Sequence, residues 1–221
     1  VSSTADPPRF TIHQVDQHPK PSMTAHSNVM NRSAGFSLIE LMVVISIAAI
    51  LATLAVPSFQ GMIASSNLTS TTNDLVATFA RARSDAIRRG KRVTVCMSAD
   101  GVQCTTSGAW SQGWIMFNDN DHSDANADVD ADADETISAV AAALSNQLVI
   151  ATKGSMPYVS YSADGQAKLM NGGSGAGTIR ICSTSSALSN DTRARDIVIN
   201  FLGRVNIVKP TGVAANCPAP T

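Results

Sequence analysis

From Phe36 to Val56 the chain carries a single ionisable side chain, Glu40, in an otherwise apolar run. About 20 apolar residues in a helix suffice to cross a bilayer, so the run is read as a membrane-spanning helix. A carboxylate in hydrocarbon costs about 2.5 kcal/mol or more, which marks Glu40 as functional and calls for a partner. A cut between Gly35 and Phe36 would supply one. The new amino group of Phe36 would lie about one helical turn from Glu40, on the same subunit or on a neighbour.

The stretch Met30-Asn-Arg-Ser-Ala-Gly-Phe-Ser-Leu-Ile-Glu40 resembles a type IV prepilin leader and mature start: a short polar leader with a basic residue, Gly35 before the cut, Phe36 after it, and Glu40 as fifth mature residue. The resemblance implies cleavage by a prepilin peptidase, N-methylation of Phe36, and assembly of the apolar helices, with Glu40, into a filament on an inner-membrane platform. It also implies a single-pass protein of the bacterial inner membrane with its head in the periplasm. A secretory signal peptide would need a small-x-small cleavage site after a shorter apolar core without a charge. A plain membrane anchor would leave Glu40 unexplained. Residues 1 to 29 fit neither part: they begin without Met, hold His13, His18 and His26, and include Pro7-Pro8 and Pro19-Lys-Pro21. They read as a disordered polar stretch ahead of a true initiator at Met30, with a genuine longer leader as the alternative.

Removing 35 of the 221 residues leaves 186, room for one anchored domain of ordinary size. Charge is segregated. Eight acidic residues fall between Asp119 and Glu135 without a lysine or arginine, whereas Arg81, Arg83, Arg88, Arg89, Lys91 and Arg92 form a basic cluster. Four cysteines lie beyond the apolar run, an even count that suggests disulfides on the exported side, although four thiols allow three pairings. Spacing favours Cys96 with Cys104 and Cys182 with Cys217. A zinc site is the alternative, and it lacks a Cys-x-x-Cys pair or a histidine cluster.

Beyond Val56 the chain still reads helical, with Pro57 expected to kink it. Leu68, Thr72, Leu75, Phe79, Ala82 and Ala86 advance in steps of four and three and so share one face, which should pack on a sheet. Arg88-Arg89-Gly90 supplies a stop signal, with bases in the last turn and Gly after it. Short β-branched runs follow at Arg92–Met97, Gly113–Phe117, Gln147–Ile150, Tyr158–Tyr161, Thr178–Cys182, Asp196–Phe201 and Arg204–Val208. Asp164-Gly165 and Leu202-Gly203 are hairpin signals. The fold class is α+β, a helix packed on antiparallel strands.

Ala82-Arg-Ser-Asp-Ala-Ile-Arg-Arg-Gly-Lys-Arg-Val-Thr-Val-Cys96, then Trp110-Ser-Gln-Gly-Trp-Ile-Met-Phe-Asn-Asp119, and finally Gly203-Arg204-Val205 resemble the GspH/FimT family of minor pilins and pseudopilins. This implies a type IV pilin-like fold: a leader over 1–35, a transmembrane and filament-core half-helix over 36–56, an amphipathic half-helix over 57–90 and a β-rich head over 91–221. It also implies a low-abundance filament subunit that primes or caps assembly among other pilins, either the type II secretion minor pseudopilin H or a type IV pilus minor pilin of the FimU or FimT kind.

An enzyme finds little support. After the cut only His122 remains, so a histidine base or paired histidine ligands are lacking. The glycines of Asn171-Gly-Gly-Ser-Gly-Ala-Gly177 precede a strand, whereas a phosphate-binding loop opens a helix; a flexible inter-strand loop is expected. Trp110 and Trp114 read as core or turn-packing residues and not as a ligand platform. No cofactor is expected. The one metal candidate is calcium: Asp124, Asn126, Asp128, Asp130, Asp132 and Glu135 have EF-hand spacing, but Val129 stands where the turn wants Gly. Alternating Asp and Ala is also the pattern of an extended, solvated loop. The alternative partner is DNA. DNA-binding members of the resembled family carry Gly-Arg-x-Arg near the C-terminus, which Gly203 and Arg204 match and Asn206 does not. Arg193, Arg195 and Lys209 would flank Arg204, giving weak, salt-sensitive binding at most.

Overall fold

A computed structural model describes residues 35–120, 127–129 and 135–221. Most of the leader, and Asp124, Asn126, Asp130 and Asp132 of the calcium pattern, lie outside the described residues. The chain divides into two units at Val44/Ile45, a boundary inside the helix α1 (Leu38–Arg89).

In the first unit, Ser37 starts α1. Its Oγ accepts the Glu40 N–H at 3.2 Å and its carbonyl accepts the Leu41 N–H at 3.1 Å, so a hydroxyl satisfies one of the orphan donors of the first turn. Glu40 in that turn also complements the positive end of the helix dipole. Phe36, Leu38, Ile39 and Leu41 are all exposed.

In the second unit, α1 continues through the helix-breaking Pro57, and Ile45, Ile47, Ile50 and Leu51 are exposed. The apolar part of α1 is long enough to cross a membrane, and among its described residues none is buried. From Ala64 onward the environment changes. Leu68, Thr72, Leu75, Phe79, Ala82 and Ala86 are buried as one face. Burial of Leu68, Leu75 and Phe79 contributes about 1.5–3 kcal/mol each. Thr72 is accommodated because its hydroxyl donates to the Leu68 carbonyl at 2.7 Å. Gly90, at φ +65°, ends the helix, and its N–H closes on Ala86 O at 2.9 Å.

The head holds two antiparallel four-stranded sheets. The first has the order β3-β2-β1-β5, from β1 (Arg92–Met97), β2 (Trp114–Asp119), β3 (Ile137–Ala141) and β5 (Tyr158–Tyr161). The second has the order β4-β6-β7-β8, from β4 (Leu148–Thr152), β6 (Gly177–Ser183), β7 (Ala194–Ile199) and β8 (Val205–Val208). The main core joins α1 to both sheets through Val93, Val95, Val159, Ile179, Ile181 and Ile197. Trp110 packs edge-on to Phe79, with ring centroids 6.0 Å apart, and its indole N–H donates to Met156 O at 2.8 Å. Both tryptophans are core residues.

Three expectations need correction. β3 has no counterpart in the strand reading, because Ile-Ser-Ala-Val-Ala has only two β-branched residues and is half-buried at a sheet edge. The acidic stretch is not wholly solvated: Ala127 is buried against Cys96, Ile115, Phe117 and Tyr158, with Val129 beside it. The glycine run is no open loop. Leu169 N–H donates to Gly173 O, Gly172 N–H to Leu169 O and Gly175 N–H to Ala167 O, so its donors are spent within a hairpin.

Candidate functional site

Three five-residue turns share one hydrogen-bond pattern. In Ser162–Gln166, Leu169–Gly173 and Asn200–Arg204 the first residue accepts from the fourth and donates to the fifth, and the fourth is a glycine at φ +76°, +81° and +74° respectively. This is the type I turn closed by a left-handed bulge residue, which glycine occupies without steric cost. Two of these turns meet. A Cβ on Gly203 would stand 2.1 Å from Gly165 O, and Ala167 N–H donates to Phe201 O at 3.0 Å. The contact joins the first sheet to the second.

Arg83 holds that joint from the helix. Its Nε donates to Gly165 O at 2.9 Å and its Nη2 to Leu202 O at 3.1 Å, one bond to each turn. Tyr161 lies beneath, fully buried, with its ring edge on Gly203 and its hydroxyl unpartnered among the described residues. Burial pushes its phenol pKa well above the ordinary range, and the Arg83 charge only partly opposes this. A groove of about 490 Å³ opens beside the joint, walled by Val76, Ala80 and Ile87 of α1 and by Arg83, Arg204 and Val205.

Apart from the two cysteine pairs, the residues singled out from the sequence are not brought together. Gly35 has open space around it and Phe36 is exposed, so the bond between them is accessible. Cys96 is bonded to Cys104, and Cys182 to Cys217. Arg193 is withdrawn from any ligand: it is 5% exposed and donates to the carbonyls of Ser183, Ser185 and Leu188 and to Asn190 Oδ1. Three carbonyls and an amide explain its burial, so the reading of Arg193 as a DNA contact is corrected. Arg195 donates to Thr192 O and Ala194 O, whereas Arg204 and Lys209 are exposed at the two ends of β8. The helix-end cluster disperses as well, since Arg88 pairs with Asp85 at 2.7 Å and Arg92 reaches Ser160 at 3.0 Å.

Of the calcium pattern, Asp128 and Glu135 are described. Glu135 Oε1 accepts the Asn120 N–H at 2.7 Å, and Gln103 exchanges two hydrogen bonds with the Val129 backbone, which pins the acidic segment to the loop closed by Cys96–Cys104. Among the described residues no group of three or more His, Cys, Asp or Glu is placed to hold a metal. Sequence reasoning missed the bidentate pair of Arg180 with Asp196, at 2.7 and 2.8 Å, over which the backbone of Pro218 and Ala219 is tied. The bonds that Arg180 donates to Asp196 raise the Arg180 pKa. Charges opposed across β6 and β7 were the only signal for it.

An apolar first half of α1, a capped start and an α+β head define a class in which one long helix is packed on antiparallel sheets. The profile described as type II transport protein GspH matches residues 71–203, and the prokaryotic N-terminal methylation motif matches residues 30–56. The chain therefore belongs to the GspH family of type II transport proteins. Among solved structures it is similar to the type IV minor pilin FimU of Pseudomonas aeruginosa strain PAO1. One crystal form is 17% identical over 68% of this chain and 92% of that one, at a TM-score of 0.43; a second is 16% identical at 0.41. It is also similar to the minor pseudopilin EpsH from the Type 2 Secretion System of Vibrio cholerae, 10% identical over 65% of this chain and 98% of that one, at 0.38. No curated protein matches the sequence.

Proposed function

We propose that the protein is a minor pilin or pseudopilin, a low-abundance structural subunit without catalytic activity that primes or caps filament assembly. The observation that carries this reading is the GspH profile on the head together with the methylation motif on a helix whose apolar half is unburied. In this reading a prepilin peptidase cuts between Gly35 and Phe36, Phe36 is N-methylated, and the protein waits in the inner membrane with its head in the periplasm. Within the filament, Glu40 offsets the buried amine of Phe36 on a neighbour; either charge alone in hydrocarbon is costly.

Intact mass of the purified membrane form tests the processing: it should begin at a methylated Phe36, and an uncut Gly35–Phe36 bond in a host with active prepilin peptidase would refute it. Glu40→Ala should leave the head folded and cleavage intact while filament incorporation falls. Incorporation at the wild-type level would remove the role assigned to Glu40.

A further inference from the structure

β8 closes one edge of the second sheet, and the turn before it fixes which way its backbone points. Asn200 N–H donates to Arg204 O at 3.1 Å, so Asn200 and Arg204 form a hydrogen-bonded pair. Hydrogen-bonded and non-bonded pairs alternate along an antiparallel ladder. The register Ile199↔Val205, Val198↔Asn206, Ile197↔Ile207, Asp196↔Val208 therefore aims the N–H and C=O of Asn206 and Val208 at β7, and those of Val205 and Ile207 away from it. Among the described residues no hydrogen bond outside the ladder reaches Val205 or Ile207. An edge of this kind is a template for another strand.

The side chains around it are apolar where they should be wet. Ile207 is 40% exposed, Val208 43%, Leu202 53% and, across the groove on α1, Ile87 51%. Arg204 and Lys209 stand at the two ends of the strand, and neither side chain makes a hydrogen bond among the described residues. No acidic residue lines the groove. A second copy is a poor occupant, because Arg204-Val-Asn-Ile-Val-Lys209 holds two cations and no carboxylate, so pairing β8 with itself gathers four cations at one edge without an anion.

We propose that the free edge of β8, with the groove against α1, is a β-augmentation site for an extended acidic segment of a neighbouring subunit. Main-chain bonds to Val205 and Ile207 supply the affinity, apolar side chains of the segment cover Ile207 and Ile87, and its carboxylates meet Arg204 and Lys209. That the donor is a filament subunit rests on the function proposed above; the chemistry of the edge does not.

The test uses the full chain in detergent micelles and the synthetic peptide Glu-Val-Val-Val-Val-Glu, whose two carboxylates fall on opposite faces of a strand as Arg204 and Lys209 do. Amide exchange at Val205 and Ile207 should slow by about tenfold or more at saturation, with little change at Asn206 and Val208, whose N–H groups already bond β7. Ile207→Pro removes an outward N–H without costing a ladder bond, and Arg204→Glu reverses a flanking charge; each should abolish the protection. Should the proline variant fail to fold, the same peptide N-methylated on alternate amides takes its place and should not protect. Equal protection by a lysine–valine peptide, protection unaltered by Arg204→Glu, or no protection at all would overturn the proposal. So would a duplex DNA oligonucleotide that outcompetes the acidic peptide at physiological salt. None of these results bears on cleavage at Gly35 or on Glu40, so the edge and the filament role stand or fall separately.

Discussion

Gly203→Ala should be among the most damaging single-methyl changes in the head, and its cost can be built from two terms. Gly203 sits at φ +74°, where an L-residue loses about 1–2 kcal/mol relative to glycine. Its new Cβ would also stand 2.1 Å from the Gly165 carbonyl oxygen and 3.0 Å from Arg83 Nε. That oxygen is backbone in a second tight turn, so the two turns must part. Parting them strains or breaks the Ala167–Phe201 bond and the two bonds from Arg83, an overpacking cost of about 1–3 kcal/mol. Together the terms give about 2–5 kcal/mol, a large share of the 5–15 kcal/mol typical of a domain. Gly212 provides the control, since it has nearly the same φ, +69°, and nothing within 4 Å of an added Cβ; Gly212→Ala should cost only the first term. Urea unfolding of the full chain with disulfides intact, followed by fluorescence of the buried Trp110 and Trp114, separates the two. With a urea slope of about 2 kcal/mol/M, the midpoint of Gly203→Ala should lie about 1 M below that of Gly212→Ala. Equal midpoints would show that the turns do not press on each other.

Removing the disulfides should cost unequally: chain-entropy arithmetic gives about 2.5 kcal/mol for the 8-residue separation of Cys96–Cys104 and about 3.8 kcal/mol for the 35-residue separation of Cys182–Cys217. Paired Cys→Ala variants compared by thermal unfolding check the order, and a larger loss at Cys96–Cys104 would contradict it. The Asp164 carboxyl is held down to about 2, chiefly by the hydroxyl of Ser162, with Gln166 N–H and Lys168 adding to it. A depressed folded pKa contributes stability above the unfolded value of 3.8 that is lost as pH falls through about 2. The melting-temperature gap between wild type and Asp164→Asn should therefore narrow from pH 5 toward pH 2; a constant gap would refute the assignment.

Local chemistry was readable where local chemistry decides. The buried face of α1 follows from spacing alone, its end from Gly90, and the tight turns at Gly165 and Gly203 from residue types that tolerate positive φ. The division of the strands into two sheets was not readable, because pairing is settled by the core between them. Arg83 and Arg193 show why site residues mislead. Both look like surface bases, yet all but one of their acceptors are backbone carbonyls, and a carbonyl carries no mark in the sequence. For Arg83 those carbonyls lie 82 and 119 positions away. Val129 and Gln103, which pair 26 positions apart, were hidden for the same reason.

The placement of Arg83 also bears on how the head answers tension. One guanidinium on the helix reaches the tip of a hairpin in each sheet, and the two tips touch through Gly165 and Gly203. A pull transmitted along this part of α1 thus reaches both sheets together at this joint, as it does through the core they share, instead of loading one and then the other. Neither sheet can peel away while the other holds its share, so the head should yield to force in one rupture.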